Sequence, residues 1–163
     1  MREAPSSDDF RHAMGSFPTG VTIVTAADGE SARAMTANSM TSVSLEPPSV
    51  LVCVNRARGL YGLIKSSQAF CVHILRSNQE ALARACSQTG SPETMLKGVP
   101  YRAGKTGAPI IDGALGYIEC KVAATLDFGT HTIYVGEVVE VTAAEGEPLL
   151  FYRGRYIHLR SDG

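Results

Sequence analysis

Ile118-Glu119-Cys120-Lys121-Val122-Ala123-Ala124-Thr125-Leu126-Asp127-Phe128-Gly129-Thr130-His131-Thr132-Ile133-Tyr134-Val135 decides the architecture. Ile118, Cys120, Val122, Ala124 and Leu126 alternate with Glu119, Lys121, Thr125 and Asp127, the period of a strand with one buried and one wet face. Asp127-Phe128-Gly129-Thr130 turns the chain, and strand character resumes at Ile133-Tyr134-Val135 and continues to Val141. Two extended segments joined by so short a turn lie antiparallel.

The same pattern recurs outward from that hairpin. Val21-Thr22-Ile23-Val24-Thr25 is rich in β-branched residues and runs into Asp28-Gly29, a hairpin signal, with residues 31–36 as the returning strand. Ser49-Val50-Leu51-Val52-Cys53-Val54 follows Pro47-Pro48 as a continuous apolar run, which predicts a central strand buried on both faces. Residues 70–75 form another strand. Toward the end, Glu145-Gly146-Glu147 turns the chain, and residues 149–152 and 156–159 flank Arg153-Gly154-Arg155 as a closing hairpin.

Helices are few and short. Ser6 or Ser7 caps the first, Asp8 and Asp9 suit its positive end, and Phe10, Met14 and Phe17 repeat at helical spacing up to Pro18. Leu60, Leu63 and Ile64 mark a second helix. Ser77-Asn78-Gln79-Glu80 reads as a capping box opening a third, over residues 81–86. Residues 88–113 are rich in Gly, Pro, Ser and Lys, with one helical turn starting at Ser91-Pro92 and stopping at Gly98. Six or more strands with hairpin turns and short flanking helices predict a mainly β fold, an antiparallel barrel or sandwich, in one domain over residues 1–163.

Composition excludes several classes. The chain has 163 residues, 44% of them hydrophobic and 19% charged, which excludes a disordered chain. Fifteen basic against 16 acidic side chains give a net charge of −1, and no basic block recommends nucleic acid or an anionic membrane as partner. The N-terminus has no apolar segment of the signal-peptide kind, and no apolar run is long enough to span a bilayer. Cys53, Cys71, Cys86 and Cys120 are scattered without a Cys-x-x-Cys pair, which predicts structural thiols in a reducing cytoplasm and no metal site.

The familiar catalytic constellations are missing. Gly104-Lys105-Thr106 looks like the end of a phosphate-binding loop, but Val99 stands where that loop needs glycine and Pro109 stands where its helix would run. No nucleophile elbow or dinucleotide glycine fingerprint occurs, and His12, His73, His131 and His158 lack metal spacing. Two polar clusters remain. Thr36-Ala37-Asn38-Ser39-Met40-Thr41-Ser42-Val43-Ser44 is either a hydroxyl-rich edge strand, which composition alone favours, or a wall of amides and short hydroxyls against a flat polar ligand. Asn55-Arg56-Ala57-Arg58 puts two arginines beside a helix start, as phosphate ligands or as solvated charge.

Phe10-Arg11-His12-Ala13-Met14-Gly15-Ser16-Phe17-Pro18-Thr19-Gly20-Val21-Thr22-Ile23-Val24-Thr25 resembles the opening of the short-chain flavin reductase family. Residues 35–48, from Met35-Thr36-Ala37-Asn38 to Glu46-Pro47-Pro48, are similar to its flavin-binding tract, and the likeness continues through residues 70–85 and 129–138. Four fragments in the right order cover nearly the whole chain. The resemblance implies the split β-barrel FMN-binding fold, usually homodimeric, in the reductase partner of a two-component flavin-dependent monooxygenase.

By position, the resemblance implies flavin contacts from Met35, Thr36, Ala37, Asn38, Ser39, Cys53 and Val54, with Ser42, Asn55 and Arg56 nearer the ribityl and phosphate. It places NADH against His131 and Tyr156. The family's Gly-Asp-His motif reads Gly129-Thr130-His131 here, Met40 stands where an aromatic is frequent, and His73 replaces a frequent asparagine. Hydride transfer from NADH, less readily NADPH, to FAD or FMN needs no protein acid, base or nucleophile, which accounts for their absence. The alternatives are a ferric reductase with tightly bound flavin on the same fold, and a non-catalytic flavin-binding carrier.

Overall fold

The computed structural model describes residues 4–29 and 31–159. Helix α1 (Ser7–Gly15) opens at a reciprocal cap. Ser6 Oγ accepts from the Asp9 N–H at 3.1 Å, and the Asp9 carboxylate accepts from the Ser6 N–H at 3.3 Å. The expected apolar stripe is present but uncovered: Phe10, Met14 and Phe17 are 64%, 51% and 66% exposed.

Strands β1 (Thr19–Gly20), β2 (Thr22–Asp28), β3 (Ser31–Ala37), β4 (Met40–Leu45) and β5 (Pro48–Asn55) follow, then α2 (Gly59–Ser67), β6 (Ala69–Ile74) and α3 (Glu80–Ser87). After a 3-10 turn at Pro92–Met95 come β7 (Tyr101–Ala103), β8 (Pro109–Ile111), β9 (Gly116–Phe128), β10 (His131–Ala143), β11 (Leu150–Tyr152) and β12 (Arg155–Ile157). Seven of them form one antiparallel sheet in the order β3-β2-β6-β9-β10-β5-β4; β1-β11-β12 and β7-β8 form two small ones. The chain is mainly β and antiparallel, as read from the sequence.

The β9–β10 hairpin is the spine, paired from His131↔Phe128 to Ala143↔Gly116 with register shifts between Val135 and Gly136 and between Val138 and Glu140. Such irregularities bend and twist the pair. A Cβ at Gly136 would lie 2.5 Å from the Phe70 ring and 2.6 Å from Cys120 Cβ, so this position must be glycine. Two apolar clusters flank the sheet. Leu60 and Ile64 of α2 pack with Val24, Val52, Val54, Phe70 and Tyr134. Ala83 and Cys86 of α3 pack with Ile23, Leu75 and Leu149. Each fully buried Leu or Ile contributes about 1.5–3 kcal/mol.

Three expectations need correction. β5 is not buried on both faces: Val50, Val52 and Val54 are buried, but Leu51 and Cys53 are only half-buried, because β5 lies next to the edge strand β4. The capping box before α3 starts at Arg76, whose N–H donates to Gln79 Oε1 at 2.9 Å, and Ser77–Gln79 make a 3-10 turn. Finally, β9 does not alternate to its end. Gly116–Cys120 is largely buried, whereas Leu126 and Phe128 are 60% and 79% exposed.

Glu119, expected on the wet face, is fully buried. Its carboxylate accepts from the N–H groups of Lys105 (3.1 Å) and Thr106 (2.6 Å) and from the Thr106 hydroxyl (2.6 Å). The fragment that resembled a phosphate loop therefore does hold an anion, one supplied by its own chain. Burial is tolerable because the charge has its donors. Gly104 is required here too, since a Cβ would sit 2.4 Å from Glu119 Oε1.

Candidate functional site

The polar tract starts where β3 ends. Thr22 Oγ1 donates to the Ala37 carbonyl at 2.6 Å, and Thr36 Oγ1 donates to the Ala83 carbonyl of α3 at 2.6 Å. Ser39 Oγ lies against the Cys53 backbone, 3.2 Å from its carbonyl and 3.4 Å from its N–H. All three hydroxyls are thus committed to holding the wall in place. Asn38 is exposed, and its amide has no hydrogen bond among the described residues. The opposite side is set by strand register, which pairs Asn55 with His131 across β5 and β10. Asn55 Oδ1 accepts from the Ala57 N–H at 2.9 Å, leaving the NH2 end of that amide available.

Between these walls lies a hollow of about 290 Å³ that brings together Met35, Thr36, Ala37, Asn38, Ser39, Cys53, Asn55 and His131, with Arg58 at one end. No carboxylate lines it. Burial pushes the Cys53 thiol up from its ordinary pKa, against a smaller opposing effect of Ser39. Nothing in the hollow is arranged as an acid–base pair or a nucleophile with its base. Short side chains, two amides and one cation fit a flat polar ring bearing a phosphate. Among the described residues no group of three His, Cys, Asp or Glu converges on a metal position.

Arg56, which the resemblance implies near the flavin phosphate, is engaged with its own chain in the structure. Its guanidinium donates to the carbonyls of His131 (2.9 Å) and Gly129 (2.5 Å), and its backbone N–H donates to the Thr130 carbonyl at 3.0 Å. Asp127 Oδ1 lies 4.0 Å from the same guanidinium and accepts from Thr132 Oγ1 at 2.5 Å. Arg56 is therefore the clamp of the turn that carries His131. The Thr130 hydroxyl, standing where the family motif has an acid, is 2.9 Å from His131 Nδ1 and fixes the ring.

Three other predicted contacts fall outside the hollow. Val54 is fully buried in the core, Ser42 is exposed on β4 opposite Val50, and Tyr156 lines an adjoining hollow of about 170 Å³ with Phe151 and Ser87. That hollow shares Thr36, Ala37 and Asn38 with the first, so Tyr156 lies behind the wall. A larger groove of about 650 Å³ adjoins on the side of Asn38, Ser39 and Cys53, walled by Phe10, Met14, Met40 and Phe151. Thr19, also in its lining, has a buried hydroxyl oxygen without a hydrogen-bond partner among the described residues. Sequence reasoning missed this groove, although the apolar stripe of α1 was its signal. Of the two arginines in Asn55-Arg56-Ala57-Arg58, it is Arg58 that lines the first hollow.

A sequence profile of the flavin reductase like domain family matches residues 14–160. Among curated relatives, the reductase component of 4-nitrophenol 4-monooxygenase/4-nitrocatechol 2-monooxygenase from Rhodococcus opacus is 39% identical over 150 residues, 92% of this chain and 80% of that protein. An FMN reductase (NADH) from Agrobacterium fabrum is 36% identical over 151 residues, 93% of this chain and 85% of that one. Among solved structures, the C-1027 NADH:FAD oxidoreductase of Streptomyces globisporus aligns with a TM-score of 0.88 at 36% identity, covering 100% of both chains.

Proposed function

This chain belongs to the flavin reductase like domain family, and from that premise we infer that it is an NADH-dependent flavin reductase. Its fold is the split β-barrel of these enzymes. The flavin, FAD or FMN, supplies the hydride-accepting N5 of its ring, and NADH supplies the hydride from nicotinamide C4. The reduced flavin then serves a separate monooxygenase, as expected of a relative of such reductase components.

We propose that the hollow between Asn38 and His131 is where the two rings meet. One observation carries this: the register of β5 on β10 brings His131 to the same hollow as the 35–39 wall. Asn38 and Asn55 offer amide hydrogens to the ring edge, and Arg58 faces the phosphate. His131, its ring fixed by Thr130, closes the nicotinamide side. The chain's contribution is orientation: holding two rings at reacting distance replaces a bimolecular encounter.

We also propose that the protein works as a homodimer, each copy a single functional unit over residues 1–163. Phe10, Met14 and Phe17 on one end and Leu126 and Phe128 on another are all more than half exposed, an unusual amount of bare apolar surface for a monomer. A cytoplasmic setting suits the cysteines, among which no disulfide forms in the described residues.

The test is oxidation of NADH and of NADPH with FAD, FMN and riboflavin supplied in turn. NADH oxidation that depends on added flavin is expected, with NADPH the poorer donor. Flavin binding without oxidation of either nucleotide overturns the assignment.

A further inference from the structure

Past Arg58 the flavin hollow continues into a second pocket of about 200 Å³, whose polar lining is Arg33, Arg58, Thr89, Gly90 and Thr94. The two spaces share Met35 and Arg58. Arg33 comes from β3, Arg58 precedes α2, and Thr89 to Thr94 belong to the segment after α3, so three separate parts of the chain converge. Arg58 ties that segment in place by donating to Thr89 Oγ1 and, at 3.0 Å, to the Ser87 carbonyl.

Among the described residues that line this pocket the charge is one-sided. Arg33 donates to the Ala32 carbonyl at 2.9 Å, and neither Arg33 nor Arg58 has a carboxylate within ion-pair distance among the described residues. Its floor is apolar, from the buried Ala34, Leu60 and Cys86. Two guanidiniums over an apolar floor suit a polyanion that also carries a planar ring. Arg58 lines both spaces, whereas Arg33 lines only the second.

We propose that this pocket takes the ADP half of FAD. Arg58 holds the phosphate that FMN and FAD share, Arg33 holds the phosphate that only FAD has, and the enzyme binds FAD in preference to FMN. The assignment rests on the flavin occupying the 35–39 hollow, and the experiment separates the two.

The dissociation constants of oxidised FAD, FMN and riboflavin are measured by fluorescence quenching for the wild type, Arg33→Gln, Arg58→Gln and Asn38→Leu, with melting curves to confirm folding. Loss of a charge-assisted contact costs about ten- to a hundredfold in affinity. Arg33→Gln should weaken FAD by that factor and FMN by less than about twofold; Arg58→Gln should weaken both and spare riboflavin. Arg33→Lys, which keeps the charge, should recover part of the FAD affinity. ADP alone should displace FAD from the wild type and lose that ability in Arg33→Gln. Equal losses of FAD and FMN in Arg33→Gln, or a loss confined to the Michaelis constant for NADH, overturn the proposal. If Asn38→Leu weakens all three flavins while Arg33→Gln has no FAD-selective effect, the FAD proposal fails and the hollow stands. If Asn38→Leu changes none of them, the hollow itself is wrong.

Discussion

Arg56 and His131 are joined through the backbone: the Arg56 guanidinium donates to the His131 carbonyl at 2.9 Å while also holding Gly129. With the Arg56 N–H on Thr130, one residue satisfies three consecutive carbonyls of a tight turn. A side chain projecting from so constrained a turn keeps its position, which is what the proposed nicotinamide contact of His131 needs.

Arg56→Ala should therefore raise the Michaelis constant for NADH about three- to tenfold and leave flavin affinity in place. His131→Ala should do the same. The double variant should be little worse than His131→Ala alone, because Arg56 acts through His131. Steady-state kinetics at varied NADH, with flavin dissociation constants measured separately, decide this. Loss of FMN affinity with riboflavin spared would return Arg56 to the phosphate.

Asn38 lines the 35–39 hollow proposed for the flavin, the large groove and the hollow of Tyr156 at once, and its amide has no hydrogen bond among the described residues. Asn38→Leu keeps the size and removes the donor. Flavin affinity should fall about three- to tenfold, the equivalent of one hydrogen bond of roughly 0.5–1.5 kcal/mol, with little change in melting temperature. Thr36→Val should show the reverse, since its hydroxyl is committed to Ala83. A collapse of stability in Asn38→Leu with unchanged flavin binding would make the tract an ordinary edge strand.

What the sequence disclosed and what it hid divide along physical lines. Strand and turn positions were legible because period-two patterning and Asp28-Gly29 or Gly129 turns are local signals. The run of short polar side chains at residues 36–44 was legible, but composition alone favoured an edge strand, and only the resemblance pointed to a ligand wall there. Glu119 was not, because nothing near it in sequence announces that the 104–106 loop folds over that face with three donors. Arg56 and Arg58 are two residues apart and chemically alike. Only the fold shows that one grips a turn and the other faces two cavities.

His73 is fully buried and bridges two strands. Nδ1 pairs with the Ile23 carbonyl and Nε2 with the Ile111 N–H, both at 3.0 Å, which requires a neutral ring protonated on Nδ1. Burial is the main cause that lowers its pKa from 6.5 to about 4. The unfolded chain binds the proton first as pH falls, so this group's stability contribution is intact above pH 6.5 and is lost progressively down to about pH 4. That loss is of order 3 kcal/mol. His73→Gln should be less stable at neutral pH and lose less than wild type between pH 7 and 5, by urea denaturation. Equal losses would mean that His73 does not titrate in that window.

Cys53 gives a direct reading of where flavin sits. It is the half-buried cysteine, on the floor of the hollow beside Ser39, whereas Cys71, Cys86 and Cys120 are buried. Burial raises the pKa of the Cys53 thiol, so at neutral pH it is almost wholly protonated and a slow nucleophile. Alkylation of the folded protein should therefore be slow, accelerate with pH, and label this one site. Saturating FAD or FMN should suppress the labelling about tenfold or more, because the ring would lie over the sulfur. Cys53→Ser should abolish it and retain hydride transfer, since no step needs a thiolate. Peptide mapping by mass spectrometry, with and without flavin, measures all three effects. Labelling of Cys53 at the same rate in saturating flavin would move the flavin out of the hollow, and loss of turnover in a folded Cys53→Ser protein would give the thiol a chemical role that its protonated state argues against.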